Sequence, residues 1–145
     1  MAVAIQNRQR TVRIHTAMIK RQVQQAMAYL GCADGELSIM FVNDQFIQTL
    51  NRDYRQQDRP TNVLAFPQST TLANMPAGIL LGDVIVSLPT AAREACSLQQ
   101  SLEEWVTFLL VHGLLHLLGY DHEQSPTKRR QMEALEVEVM RHLQH

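Results

Sequence analysis

The spacing of apolar residues changes period several times along the chain, and each change marks an element. Val3 to Ile5 is a short apolar run and predicts a strand. From Thr16 to Leu30, Met18, Ile19, Val23, Met27 and Leu30 recur at the spacing of one helix face, with Gly31 as a stop. Glu36 to Val42 predicts a second strand, after which Asn43 or Asp44 caps a helix carrying Phe46, Ile47, Leu50 and Tyr54. Arg55 to Thr61 is polar, contains Pro60 and predicts a loop. Asn62 to Phe66 predicts a strand that Pro67 ends, and a proline there favours a sheet edge. Ser69 to Gly78 predicts a loop and Leu80 to Ser87 a further strand. Pro89 opens a third helix as its first residue. Ser101-Leu102-Glu103-Glu104 is a capping box for a fourth helix. Ser125-Pro126 starts a fifth, with Met132, Leu135, Val139 and Leu143 on its apolar side. The order β-α-β-α-β-β-α-α-α predicts an α/β fold, a small mixed sheet packed with helices.

Composition narrows the class. With 145 residues, no repeats and no linker, a single domain over residues 1–145 is expected. A hydrophobic content of 46% against 19% charged residues fits a globular chain rather than a disordered one. The longest apolar stretch, Trp105 to Tyr120, contains Thr107 and two histidines, and is too short and polar to span a membrane. Gln6, Asn7, Arg8 and Arg10 stand where a secretion signal needs an apolar core. Cys32 and Cys96 lie far apart in no metal-like spacing, and read as buried thiols of a reducing, cytoplasmic protein.

The net charge of −1 does not by itself announce a nucleic-acid binder. Its distribution is uneven: residues 1–72 carry +3 and residues 73–145 carry −4. Arg52, Arg55 and Arg59, with Arg8, Arg10 and Arg13, make a candidate basic face, and ordinary solvated charge is the plain alternative.

The candidate chemistry lies in His112-Gly113-Leu114-Leu115-His116-Leu117-Leu118-Gly119-Tyr120-Asp121-His122. His112 and His116 are one helical turn apart on one face. Gly119 can end the helix in a left-handed turn, from which His122 swings back toward the same point. A pair of histidines on an apolar helix is compatible with core packing. Three, with a glycine breaker among them, are costly to bury without partners. Three imidazoles from a helix and its exit loop form an open metal site, the catalytic arrangement for zinc, although nickel, copper or cobalt suit the same cage.

The spacing matches the ligand skeleton of metzincin peptidases, in which the residue after the first histidine is a glutamate base. Here that residue is Gly113, which cannot carry a proton and counts against peptidase chemistry. Zinc alone still lowers the pKa of bound water from 15.7 to about 7. A site of neutral ligands keeps its +2 charge and suits an anionic substrate such as a phosphodiester. Asp121 reads as a turn residue or an acceptor orienting an imidazole, ahead of a direct proton carrier, and Tyr120 reads as packing.

The His112–His122 run resembles the signature H-G-x-L-H-L-x-G-Y-D-H of the bacterial YbeY family, the endoribonucleases of ribosomal RNA maturation. Two further blocks agree. Tyr54 to Pro67 resembles the family's Y-R-x-x-D-x-P-T-[DN]-V-L-S-F-P, and Leu81 to Ser87 its L-G-D-[IV]-x-I-S strand. Met132 to Glu136 in the last helix extends the match, while the first 35 residues carry no matching motif. Ala65 departs from the usual serine and removes one hydroxyl from the strand facing the site.

The resemblance implies a small α/β zinc hydrolase that cuts single-stranded RNA, acts at the 3′ end of 16S rRNA and supports ribosome quality control. It makes His112, His116 and His122 the metal ligands and Arg55 the functional arginine. A guanidinium beside a metal can hold a phosphate bidentately, which agrees with that role. Attack by activated water and attack by the RNA 2′-OH are both open. The few basic residues imply modest affinity for bare RNA, so the ribosome or ribosomal proteins are expected partners. Two other classes remain: a metallopeptidase-like hydrolase with an unrecognised base, and a non-enzymatic ribosome-associated protein with a structural metal.

Overall fold

The computed structural model describes residues 3–68, 80–120 and 125–143. Four strands and five helices follow the expected order among them: β1 (Val3–Asn7), α1 (Thr16–Tyr29), β2 (Glu36–Val42), α2 (Asp44–Arg55), β3 (Val63–Pro67), β4 (Leu80–Ser87), α3 (Leu88–Leu98), α4 (Leu102–Leu117) and α5 (Pro126–Leu143). The sheet runs β1-β2-β4-β3. β1, β2 and β4 are mutually parallel, whereas β3 is antiparallel to β4 and forms an edge. The mixed sheet and the edge position of β3 agree with the sequence reading.

Strand alternation sends side chains to two unequal faces. Leu37, Ile39, Phe41, Val84 and Val86 point to the main core, built with α1, α4 and α5. Val42, Leu64 and Ile85 point the other way and meet Ile47 of α2 in a separate small cluster. Helix α4 is the central helix: Val106, Leu110, Leu114 and Leu115 are all fully buried.

Two glycines let α4 and β3 approach β4. A Cβ on Gly113 would stand 2.7 Å from Val84 Cγ1, so this glycine is where α4 touches the sheet. Gly82 has φ +144°, and a Cβ there would stand 2.4 Å from the Phe66 carbonyl oxygen. Only glycine suits both demands.

Several boundaries differ from the sequence reading, each for a local reason. Pro67 is the last residue of β3, opposite Gly82, so the strand ends at the proline as expected but includes it, because an edge strand has one side on which no N–H is needed. Arg55 closes α2 instead of opening the loop. On α2, Phe46 (38%) and Tyr54 (66%) are exposed rather than packed, while Asn51 is buried and its Nδ2 donates to the Arg59 carbonyl at 2.9 Å. Helix α3 starts at Leu88, one residue before Pro89; Ser87 makes no side-chain cap bond, and its hydroxyl donates to Asp44 Oδ1 at 2.6 Å. Cys96 is exposed and Cys32 half-buried, so neither is the fully buried thiol expected. Among the described residues, no helix is long and apolar enough to cross a membrane. The expected loop from Ser69 to Gly78 lies outside the described residues.

Candidate metal centre

Helix α4 begins at the predicted cap: Ser101 Oγ accepts from Glu104 N at 3.1 Å. It ends as the glycine foretold. Gly119, at φ +102°, donates to His116 O at 3.0 Å, and Tyr120 N donates to Leu115 O at 3.0 Å. These two bonds form a Schellman motif, which turns the chain sharply just after the second histidine.

His112 and His116 face each other along this last stretch of helix. Their Nε2 atoms are 3.2 Å apart, with ring centroids at 4.7 Å and planes at 72°. Behind His112, its Nδ1 meets Glu136 Oε2 of α5. Glu136 is buried, its side chain 6% exposed against 26% for His112. The carboxylate accepts the Nδ1 proton, which in the neutral ring leaves the lone pair on Nε2, aimed toward His116.

This arrangement fits a metal of the kind expected. Two imidazole donors on one tetrahedral zinc, each bound at about 2.0–2.1 Å, stand roughly 3.3 Å apart. The observed separation of 3.2 Å is close to that. His122, the third expected ligand, and Asp121 lie outside the described residues, and no group of three candidate ligands assembles among the described ones. Tyr120, expected to pack, is 41% exposed.

Glu136 escaped the sequence reading as a site residue. Its signal was available: it is an acidic residue on the buried stripe of α5, between Met132 and Val139. A carboxylate in such a stripe requires a partner.

Arg55 sits elsewhere in the described geometry. It lines a polar groove of about 490 Å³ with Asn51, Arg59, Asn62, Thr90 and Glu94. Glu94 is committed there, accepting from Asn62 Nδ2 at 3.2 Å and Trp105 Nε1 at 3.0 Å. The described walls of this groove include neither histidine. The basic face expected from six arginines is likewise split: Arg8, Arg10 and Arg13 follow β1, at the sheet edge opposite β3.

Nearby, Asp44 ties the start of α2 to the start of α3. Its Oδ1 accepts from Ser87 and Thr90, both at 2.6 Å, and its Oδ2 from Arg93 at 2.9 Å. Burial alone would raise its pKa, but the three hydrogen bonds and the Arg93 charge outweigh that and hold it below the ordinary carboxylate value.

Fold and site together define a class: a mixed-sheet α/β protein whose central helix presents a carboxylate-braced pair of imidazoles. Residues 4–144 match the family model for Endoribonuclease YbeY, and the chain belongs to that family. It is 44% identical over 139 residues to the Endoribonuclease YbeY of Syntrophotalea carbinolica, covering 94% of this chain and 92% of that one. It is 43% identical over 140 residues to that of Geobacter metallireducens, covering 96% and 93%. The solution structure of TM1509 from Thermotoga maritima has the same fold, with a TM-score of 0.67 at 22% identity, over 97% of this chain and 88% of that one.

Proposed function

We propose that this chain is a zinc-dependent endoribonuclease of the cytoplasm, cutting single-stranded RNA in 16S rRNA 3′-end maturation and ribosome quality control. One observation carries the reading: the His112 and His116 Nε2 atoms converge, with Glu136 behind them, in a member of a family named for RNA cleavage. His112, His116 and His122 are the ligands in this reading. A bound zinc ion would supply Lewis-acid polarisation of the phosphodiester and activation of the attacking group.

The chain's own residues do the rest. Glu136 holds the His112 Nδ1 proton and so keeps Nε2 available as a donor. Arg55, exposed at the end of α2, holds a phosphate through paired N–H donors. The modest basic charge supports delivery of the substrate by the ribosome or its proteins. Gly113 speaks against the peptidase reading, because it is wedged against Val84 and leaves no room for a glutamate base.

The test is cleavage of a defined single-stranded RNA by purified protein, with chelation, zinc return and His116→Ala. Cleavage that chelation stops, zinc restores and the variant lacks is the expected result. Cleavage equal in wild type and variant, or unaffected by chelation, overturns it.

A further inference from the structure

Tyr54 is the most exposed large hydrophobic residue among those described, at 66%. Its ring meets Phe66 of β3 edge to face, with centroids 5.3 Å apart and planes at 67°. Its hydroxyl makes no hydrogen bond among the described residues. A ring braced by one neighbour is already ordered, yet keeps a broad surface open to solvent. Any unpaired nucleobase can stack on such a surface.

Its position gives the surface a use. Phe66 pairs with Asp83 of β4. On the opposite face of the sheet, Gly113 packs on Val84 and Leu117 lies against Gly82. His112 and His116 each precede one of those two contact residues in α4. The aromatic pair and the imidazole pair therefore sit at one level of β4, on opposite faces, and β3 is the edge between them. A single strand with its scissile phosphate at the histidines reaches Tyr54 by crossing that edge, within a few nucleotides. Among the described residues, no strand pairs with the outer side of β3.

Charge accompanies the aromatic ring. Arg52 and Arg55 occupy the last turn of α2, and Arg59 follows in a loop that Asn51 pins. A nucleotide presents a flat base joined to phosphates, and the C-terminal end of α2 carries a flat ring together with basic residues, of which Arg52 pairs with Asp53 and Arg59 bonds Gln57.

We propose that Tyr54, braced by Phe66, is a nucleobase-stacking subsite for single-stranded RNA, holding a base a few nucleotides from the bond that is cut. The proposal rests on the endoribonuclease reading for the class of its ligand.

The experiment uses short single-stranded oligoribonucleotides in which one abasic nucleotide is moved along the sequence. Each is read by fluorescence anisotropy and by cleavage, with wild type, Tyr54→Phe and Tyr54→Ala. Tyr54→Ala is expected to bind intact RNA about 5- to 100-fold more weakly, and Tyr54→Phe to bind like wild type. An abasic nucleotide at one register weakens wild type by a similar factor and leaves Tyr54→Ala unaffected. That register dependence separates stacking from structural support. Equal affinity of wild type and Tyr54→Ala, a flat abasic scan in wild type, or no measurable binding overturns the subsite. Register-dependent binding without cleavage keeps the subsite and overturns the catalytic reading instead.

Discussion

Glu136 on α5 accepts a hydrogen bond from Nδ1–H of His112 on α4, across 24 positions of sequence. The acid is buried among apolar neighbours of its own helix, so its partner decides whether it can remain there. Packing of α5 on α4 and orientation of the first histidine are consequently one contact.

Removing that acceptor affects both properties. Glu136→Ala is expected to weaken zinc binding about 10- to 100-fold and to cost about 1–3 kcal/mol of stability. Glu136→Gln keeps an acceptor oxygen and recovers most of each. Competition with a zinc chelator and thermal unfolding check this; unaltered zinc affinity in Glu136→Ala would refute it.

Gly113→Ala sets two effects against each other. Alanine gains about 1 kcal/mol over glycine inside a helix. The added methyl, however, meets Val84 at 2.7 Å within a packed interface. Overpacking of that kind costs roughly 1–3 kcal/mol, so the substitution is expected to be neutral to destabilising despite the better helix former. Adding Val84→Ala relieves the clash, and a double-mutant cycle in urea reads the coupling. Additive effects would mean that the two residues do not constrain each other.

Arg55→Ala is expected to leave the unfolding midpoint close to wild type, because the residue is exposed. RNA cleavage should fall by about 10²-fold or more, since a phosphate-holding donor is lost. Arg55→Lys should recover little, lacking the planar fork. Steady-state cleavage of one RNA by the three proteins decides the matter.

Asp44 gives the fold an acid sensitivity of known sign. Its pKa is lowered in the folded state by Ser87, Thr90 and Arg93, against the opposing effect of burial. Its contribution is therefore complete above the ordinary carboxylate range and fades as pH falls through the lower folded value. Asp44→Asn should be less stable than wild type at neutral pH, by about 2 kcal/mol. The gap should close on acidification below about pH 4. Urea unfolding from pH 7 to pH 3 follows it; a gap independent of pH would show that the charge is not what holds α2 to α3.

The histidine helix was legible because its signals are local. Ser101 caps it, Gly119 ends it, and the three-and-four spacing puts His112 and His116 on one face. Glu136 was not legible as their partner, since only the packing of α5 on α4 brings position 136 to position 112. Periodicity alone misplaced Phe46 and Tyr54 for a related reason. The face of α2 that turns inward is set by the small cluster beneath it, which takes Ile47 and reaches no farther than Leu50. Asn51 defied its residue type because it binds the returning loop through the Arg59 carbonyl. The bond from Ser87 to Asp44 likewise joins residues 43 positions apart, a separation that no local pattern reveals.

The two apolar clusters on either side of the sheet make the protein mechanically divisible. Val42, Ile47, Leu64 and Ile85 form a patch of their own, apart from the larger cluster that holds α4. Helix α2 can thus open to solvent as its own cooperative unit while the histidine helix stays protected. Amide exchange should show α2 turning over ahead of α4. A chain built this way can retune how it grips a polymer, by changes around α2, without disturbing the frame in which the polymer is broken.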